Sequence, residues 1–198
     1  MKILHLISSP RGAASFSIKL GNAIIEKLHA ANPGSTVKVH SLVDKPFPHL
    51  EESHLTSFYT PTESRSPEQA EAVKHSDEAI AEIMDADVIV IGVPMYNFSI
   101  HSTLKAWIDH IARAGVTFKY SDNGVEGLVK GKKLYLAIAT GGVYSDGPMK
   151  AYDFTEPYLR SVLGFLGMTD ITAFRVEGVN MHDLKDAALE KAINSIVL

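Results

Sequence analysis

The chain of 198 residues contains no cysteine. That absence removes disulfides, thiolate metal sites, cysteine nucleophiles and CxxC redox chemistry together. If this protein moves electrons, something other than a thiol must carry them. Basic charge is also scarce, with 19 Lys and Arg against 23 Asp and Glu and a formal net charge of −4. A nucleic-acid protein would usually show a basic face, so none is expected as a partner. Between Glu51 and Asp87 ten acidic residues stand against Arg65 and Lys74, which reads as a solvated helix face plus loop. No apolar run approaches 18 residues, and Met1-Lys2 leads straight into a strand-like run without a leader pattern. The expectation is therefore a cytoplasmic, unprocessed chain with no membrane partner. Several catalytic signatures are missing too: there is no GxGxxG, no Gly-Lys followed by Ser or Thr, no GxSxG and no HExxH. The nine histidines show no metal-ligand spacing and read as scattered surface and turn residues, so no metal is expected.

What is present is a regular alternation of strand-like and helix-like segments in a chain short enough for one domain, residues 1–198. Lys2–Ile7, Thr36–Leu42, Val88–Val93, Lys133–Ala139 and Ile171–Val176 are short apolar runs, and VIVIGV is the clearest buried parallel strand among them. Helical spacing of Leu20, Ala23, Ile24 and Leu28 marks residues 16–31. Ser66-Pro67-Glu68-Gln69 is a capping box with proline in the first helical position, opening a helix that runs on Val73, Ile80 and Met84 to Ala86. Leu104, Trp107, Ile108 and Ile111 mark a helix over 102–114, with Trp107 as core. Two more helices are expected over Tyr152–Phe165 and Leu184–Ile196. Thr117–Tyr120 and Asn123-Gly124 read as a hairpin-like excursion, and residues 43–65 as a long connection. Five βα units imply an α/β, flavodoxin-like parallel sheet of order 2-1-3-4-5 with helices on both faces. Ligands of such sheets sit outside the carboxyl ends of strands 1, 3 and 4.

Three loops lie at that edge. Ser8 to Ser17 is a hydroxyl-rich loop running into a helix N-terminus, suited to a monophosphate, although Ser15 or Ser17 also reads simply as an N-cap. Pro94 to Ile100 is large and partly aromatic. Its Tyr, Phe and Met can lie against a flat apolar ring and Asn97 can bond a ring edge, or Tyr96 and Phe98 plug the sheet edge. Thr140-Gly141-Gly142-Val143 allows bare backbone to approach a ligand, or is a tight turn. Together the three describe a flavin mononucleotide (FMN) pocket.

The serine loop, the run Pro94-Met95-Tyr96-Asn97-Phe98, the segment Ala112-Arg113-Ala114-Gly115-Val116-Thr117-Phe118 and the run Gly142–Pro148 resemble the FMN-dependent NADH-azoreductase/quinone reductase family over essentially the whole chain. The resemblance implies a homodimer with one FMN per subunit at the interface and NADH as electron donor. On the matching positions, Ser9, Ser15, Phe16 and Ser17 would hold the phosphate and ribityl chain, Phe16 through its backbone. Met95, Tyr96, Asn97 and Phe98 would line the isoalloxazine ring, and Ala139, Thr140, Gly141 and Gly142 would close its other side. Tyr120 and Phe165 are similar to aromatics that shape the acceptor pocket, one of them reaching across the dimer. Thr140 departs from the pattern, standing where a relative has arginine. The implied reaction is ping-pong: NADH reduces the flavin, then a quinone or azo compound takes its place, an azo bond needing two rounds to become two amines. No side chain is nominated as acid or base. The competing readings are a flavodoxin-like electron carrier and an NAD(P)H-dependent FMN reductase.

Overall fold

A computed structural model describes residues 1–122 and 124–198, so Asn123 of the expected hairpin turn lies outside the described residues. The strands are β1 (Lys2–Ile7), β2 (Thr36–Ser41), β3 (Val88–Pro94), β4 (Phe118–Ser121), β5 (Gly124–Gly127), β6 (Lys133–Ala139) and β7 (Asp170–Val176). The helices are α1 (Phe16–Ala31), α2 (Glu52–Tyr59), α3 (Pro67–Asp85), α4 (Ser102–Ile111), α5 (Glu156–Phe165) and α6 (Ala188–Asn194). Five strands pair in parallel in the order β2-β1-β3-β6-β7, the flavodoxin-like order once the antiparallel pair β4–β5 is set aside.

Period-two alternation sends the strand side chains to two cores. Leu4, Leu6, Ile89, Ile91 and Val93 pack on one side with Ile83, Leu104, Trp107 and Leu159, which come from α3, α4 and α5. Ile3, Val88 and Val90 pack on the other with Leu20, Ile24, Ala188 and Ala192, from α1 and α6. Each fully buried large side chain contributes roughly 1.5–3 kcal/mol, which is why these continuous apolar runs fold as central strands. β2 is an edge, and Val39 accordingly stays 58% exposed. No helix among the described residues is long and apolar enough to cross a membrane.

The structure corrects several expectations. The 43–65 connection is not structureless: α2 occupies its middle, and a 3-10 turn spans Thr62–Ser64. At its start His54 Nδ1 accepts the Glu51 N–H at 3.1 Å. Its inner face rests on α4 through His54 against His110 (ring centroids 4.9 Å apart), and on Arg113 just beyond α4, whose guanidinium lies 4.8 Å from the Phe58 ring. Arg113 Nη1 in turn donates to Ser76 and Asp77. The histidines are therefore not all surface and turn residues, since His5, His54 and His110 are buried. α4 ends at Ile111 rather than Ala114, because the Arg113 N–H donates to Thr117 Oγ1 (2.9 Å) instead of continuing the helix. α5 begins at Glu156 rather than Tyr152, where Asp153 Oδ1 accepts the N–H groups of Thr155 and Glu156. α6 covers only Ala188–Asn194 of the expected 184–196. In α3 the inward residue of the last turn is Ile83, while Met84 is exposed.

Candidate active site

β3 and β6 end level, with Pro94 opposite Ala139, and the Met95 N–H donates to the Ala139 carbonyl at 2.9 Å. This single bond holds the loop after β3 against the loop after β6. The loop after β1 is tied to the same edge by Ser8, whose buried hydroxyl donates to the Gly92 carbonyl at 2.8 Å. Ser8 is therefore a structural fastener, which leaves Ser9, Ser15 and Ser17 as the hydroxyls of this loop.

Those three serines are buried. Ser15 is the N-cap of α1: its Oγ accepts the Ile18 N–H at 3.4 Å and lies 3.0 Å from Ser17 Oγ. The first turn of α1 carries no acidic side chain, so nothing in the helix itself offsets the partial positive charge there. Phe16 is half-buried between the serines. Ser15 is thus the simple N-cap, at a helix terminus whose first N–H groups have no intrahelical partners.

The loop after β3 turns back on itself. Tyr96 and Ser99 exchange both backbone hydrogen bonds (2.9 and 3.0 Å), so Asn97 and Phe98 are the central pair of a two-residue turn. Both have positive φ, +48° and +70°. A turn with φ above zero at both positions is the type that favours Asn-Gly, and Asn tolerates it. Phe does not, and left-handed backbone costs it roughly 1–2 kcal/mol. Backbone outliers of this kind cluster at functional sites; here the Phe98 side chain is exposed at the sheet edge with its ring against Tyr152 and Tyr144, centroids 5.6 and 6.3 Å away. The Phe98 carbonyl is held by the Phe154 N–H at 3.1 Å.

In the third loop the carbonyls of Thr140, Gly141 and Gly142 are occupied. Thr140, Gly141 and Gly142 accept from the N–H groups of Val179, Asn180 and Gly178, at 3.3, 3.0 and 3.0 Å, and Thr140 Oγ1 also bonds the Gly142 carbonyl at 2.8 Å. Among the described residues no hydrogen bond is found for the N–H groups of Gly141 and Gly142. A side chain at Gly141 would meet Asn180 at 2.7 Å, and one at Gly142 would meet the Tyr144 ring at 3.4 Å. This turn keeps two backbone donors free and carries no side chain over them.

The structure thus brings Ser9, Ser15, Phe16, Ser17, Met95, Tyr96, Asn97, Phe98, Ala139, Thr140, Gly141 and Gly142 to one edge of the sheet. Tyr120 and Phe165 are placed elsewhere. Both pack on Phe118, with ring centroids 5.6 and 4.6 Å away, and both are exposed, Tyr120 by 73%. Neither lines the cavity of ≈ 710 Å³ beside Tyr96 and Asn97. That cavity adds residues that sequence reasoning passed over: His101, Lys105 and Tyr158. His101 caps α4 by accepting the Thr103 N–H (3.3 Å), its ring meets Tyr96 edge-on at 5.4 Å, and burial pushes its pKa down. Position alone could have flagged it, one residue before a helix that starts at the ligand edge.

A family model described as flavodoxin-like fold matches residues 1–197. The chain belongs to that family. Among similar flavodoxin-like proteins, the FMN-dependent NADH:quinone oxidoreductase of Herminiimonas arsenicoxydans is 52% identical over 98% of this chain and 96% of its own. An azoreductase from Bacillus anthracis str. Sterne superposes with a TM-score of 0.88 at 31% identity, covering 98% of this chain and 97% of that one. An FMN-dependent NADH-azoreductase from Bacillus anthracis str. Ames Ancestor in complex with FMN gives a TM-score of 0.85 at 25% identity, again over 98% and 97%.

Proposed function

We propose that this protein is an FMN-dependent NADH:quinone oxidoreductase with azoreductase activity, built as one FMN-binding domain of residues 1–198. The observation that carries this reading is the strained Asn97-Phe98 turn after β3, at the same sheet edge as a turn after β6 whose Gly141 and Gly142 N–H groups have no hydrogen bond among the described residues. The named relatives support it by their activities, and the pocket's donors fit the cofactor. Buried serine hydroxyls at a helix N-terminus suit a dianionic phosphate. Aromatic and thioether side chains suit a flat tricyclic ring, and free N–H groups suit its carbonyl edge.

Bound FMN would supply two-electron chemistry, taking hydride from NADH and passing the pair to a quinone or an azo bond. The chain's own residues do the rest. Ser9, Ser15 and Ser17 hold the phosphate end; Asn97 and the Gly141 and Gly142 N–H groups fix the orientation of the ring; Met95, Tyr96 and Phe98 cover its apolar surface. No side chain is assigned to proton transfer. Donor and acceptor use one place in turn, hence ping-pong kinetics. The homodimer belongs to this proposal as well: Tyr120 and Phe165 are exposed aromatics packed on Phe118, and one of them would reach across the interface.

Steady oxidation of NADH by a quinone, with no added reductase, is the expected behaviour of the FMN-loaded protein. An electron carrier would show none. Within the pocket, Asn97→Ala and Gly142→Val should each weaken FMN retention about tenfold or more, the cost of one or two hydrogen bonds to a bound group. Trp107→Phe, buried in the core between α4 and the sheet, should leave retention near wild type. Equal retention in all three variants would put the pocket elsewhere.

A further inference from the structure

Two charged residues at the carboxyl end of β7, which sequence reasoning did not single out, reach both loops of the expected ring pocket. Glu177 Oε1 accepts the N–H groups of Tyr144 and Ser145 at 2.8 and 2.9 Å, and its other oxygen accepts the Ser145 hydroxyl. The Tyr144 backbone so fixed carries a ring that lies beside Gly142 and 6.3 Å, edge-on, from the Phe98 ring. Arg175 Nη1 stands 3.5 Å from Glu177 Oε1, an ion pair in which that nitrogen makes no hydrogen bond among the described residues. Its Nη2 donates to Asp153 at 2.5 Å and to Glu156 at 2.6 Å. Asp153 precedes Phe154, whose N–H holds the Phe98 carbonyl. The contacts close a circuit: Glu177, Tyr144, Phe98, Phe154, Asp153, Arg175 and back to Glu177. A carboxylate accepting two backbone N–H groups and a hydroxyl in a partly buried setting makes strong, charge-assisted bonds. Nothing in the sheet requires it there, since β6 and β7 are already paired along their whole length.

We propose that Glu177, braced by Arg175, is a positioning residue for the ring side of the cofactor pocket and acts through Tyr144. Its carboxylate holds the Tyr144 ring in the seam between the Phe98 turn and the Gly141-Gly142 turn. This rests on the FMN reading above, and the measurement separates the two. Kd values for FMN and for riboflavin are taken from quenching of flavin fluorescence on the apoprotein of wild type, E177A, E177Q, Y144L and E177A/Y144L. Thermal midpoints of the same apoproteins are recorded. E177A should raise both Kd values about tenfold, as expected for lost charge-assisted bonds. The FMN-to-riboflavin ratio should not change, because the phosphate side is untouched. E177Q keeps an oxygen for both N–H groups and should stay within about twofold of wild type. Adding E177A to Y144L should change Kd by less than about twofold, since the two act as one unit. Two results overturn the proposal: E177A with wild-type Kd values, whether or not its apoprotein midpoint falls, or effects of E177A and Y144L that multiply. If E177A does not fold, a wild-type Kd in Y144L overturns it equally. Wild-type protein that binds neither flavin defeats the function reading itself, and the clamp with it.

Discussion

Replacing Gly127 by alanine should lower the thermal midpoint by roughly 6–12 °C, the equivalent of about 3 kcal/mol in a chain of this size. A Cβ at Gly127 would lie 2.2 Å from the Gly167 nitrogen and 2.4 Å from the Gly167 Cα and the Leu166 carbonyl carbon. All of these are backbone atoms, so no side chain can swing aside. β5 would have to lift from the end of α5, straining the Val129 N–H to Leu166 carbonyl bond of 2.9 Å. Overpacking of ordinary sites costs about 1–3 kcal/mol, and a backbone-on-backbone clash belongs at the top of that range. Gly164→Ala is the matching control. It lies within α5 with nothing inside 4 Å of its would-be Cβ, and alanine there should stabilise by up to about 1 kcal/mol. Differential scanning of the three proteins checks both signs; similar midpoints for Gly127→Ala and wild type would mean the hairpin does not pack on Gly167. The same lesion should displace Tyr120 and Phe165, which meet on Phe118 beside this contact.

Acid should destabilise the fold strongly between pH 6.5 and 4, with His5 the main cause. His5 points from β1 into the α1 side of the sheet, is 1% exposed, and has no hydrogen-bond partner for Nε2. A Cβ on Gly21 would sit 2.8 Å from that nitrogen, so the glycine makes room for a neutral ring. Burial lowers the pKa of His5 from 6.5 to about 4. The unfolded chain therefore takes up a proton that the native state refuses. Stability is full above pH 6.5, falls as the pH drops toward 4, and levels off below that, a total of about 3 kcal/mol. Burial lowers the pKa of His110 too, against a smaller opposing effect of its contact with the Pro48 carbonyl, so it adds loss of the same sign. Urea unfolding at pH 7 and pH 4.5 should show the drop, and His5→Leu should remove most of it. An unchanged pH slope in His5→Leu would assign the acid sensitivity elsewhere.

The parallel sheet was legible because its central strands are buried on both faces and so are written as continuous apolar runs. α3 was legible because Ser66, Pro67 and Gln69 make a local start signal that needs no tertiary partner, and the cap appears as expected, with Gln69 accepting the Ser66 N–H at 3.0 Å. α2 was not, since its inner face is His54, Ser57 and Phe58 rather than an aliphatic stripe. Its partners His110 and Arg113 lie more than fifty residues further on, so a periodicity reading has nothing to find. At the site, the Met-Tyr-Asn-Phe run was visible as a motif, but the left-handed backbone at Phe98 was not, because no local rule places phenylalanine there. Glu177 was invisible for the same reason as α2: its partners Tyr144 and Ser145 are 33 and 32 residues upstream. Ser8, which was not among the expected phosphate contacts, donates to the Gly92 carbonyl and ties the loop to the sheet.

An FMN pocket formed by the loops after β1, β3 and β6 would show itself first in the flavin the protein holds. Purified protein is incubated with FMN, desalted, and its absorbance recorded before and after heat release of the bound group, alongside thermal midpoints with and without excess FMN. The expected result is a yellow protein carrying one releasable FMN per chain. The midpoint should also rise by roughly 5–11 °C at free FMN one hundred times Kd, the equivalent of about 2.7 kcal/mol. Protein that stays colourless after desalting and melts at the same temperature with excess FMN would contradict it.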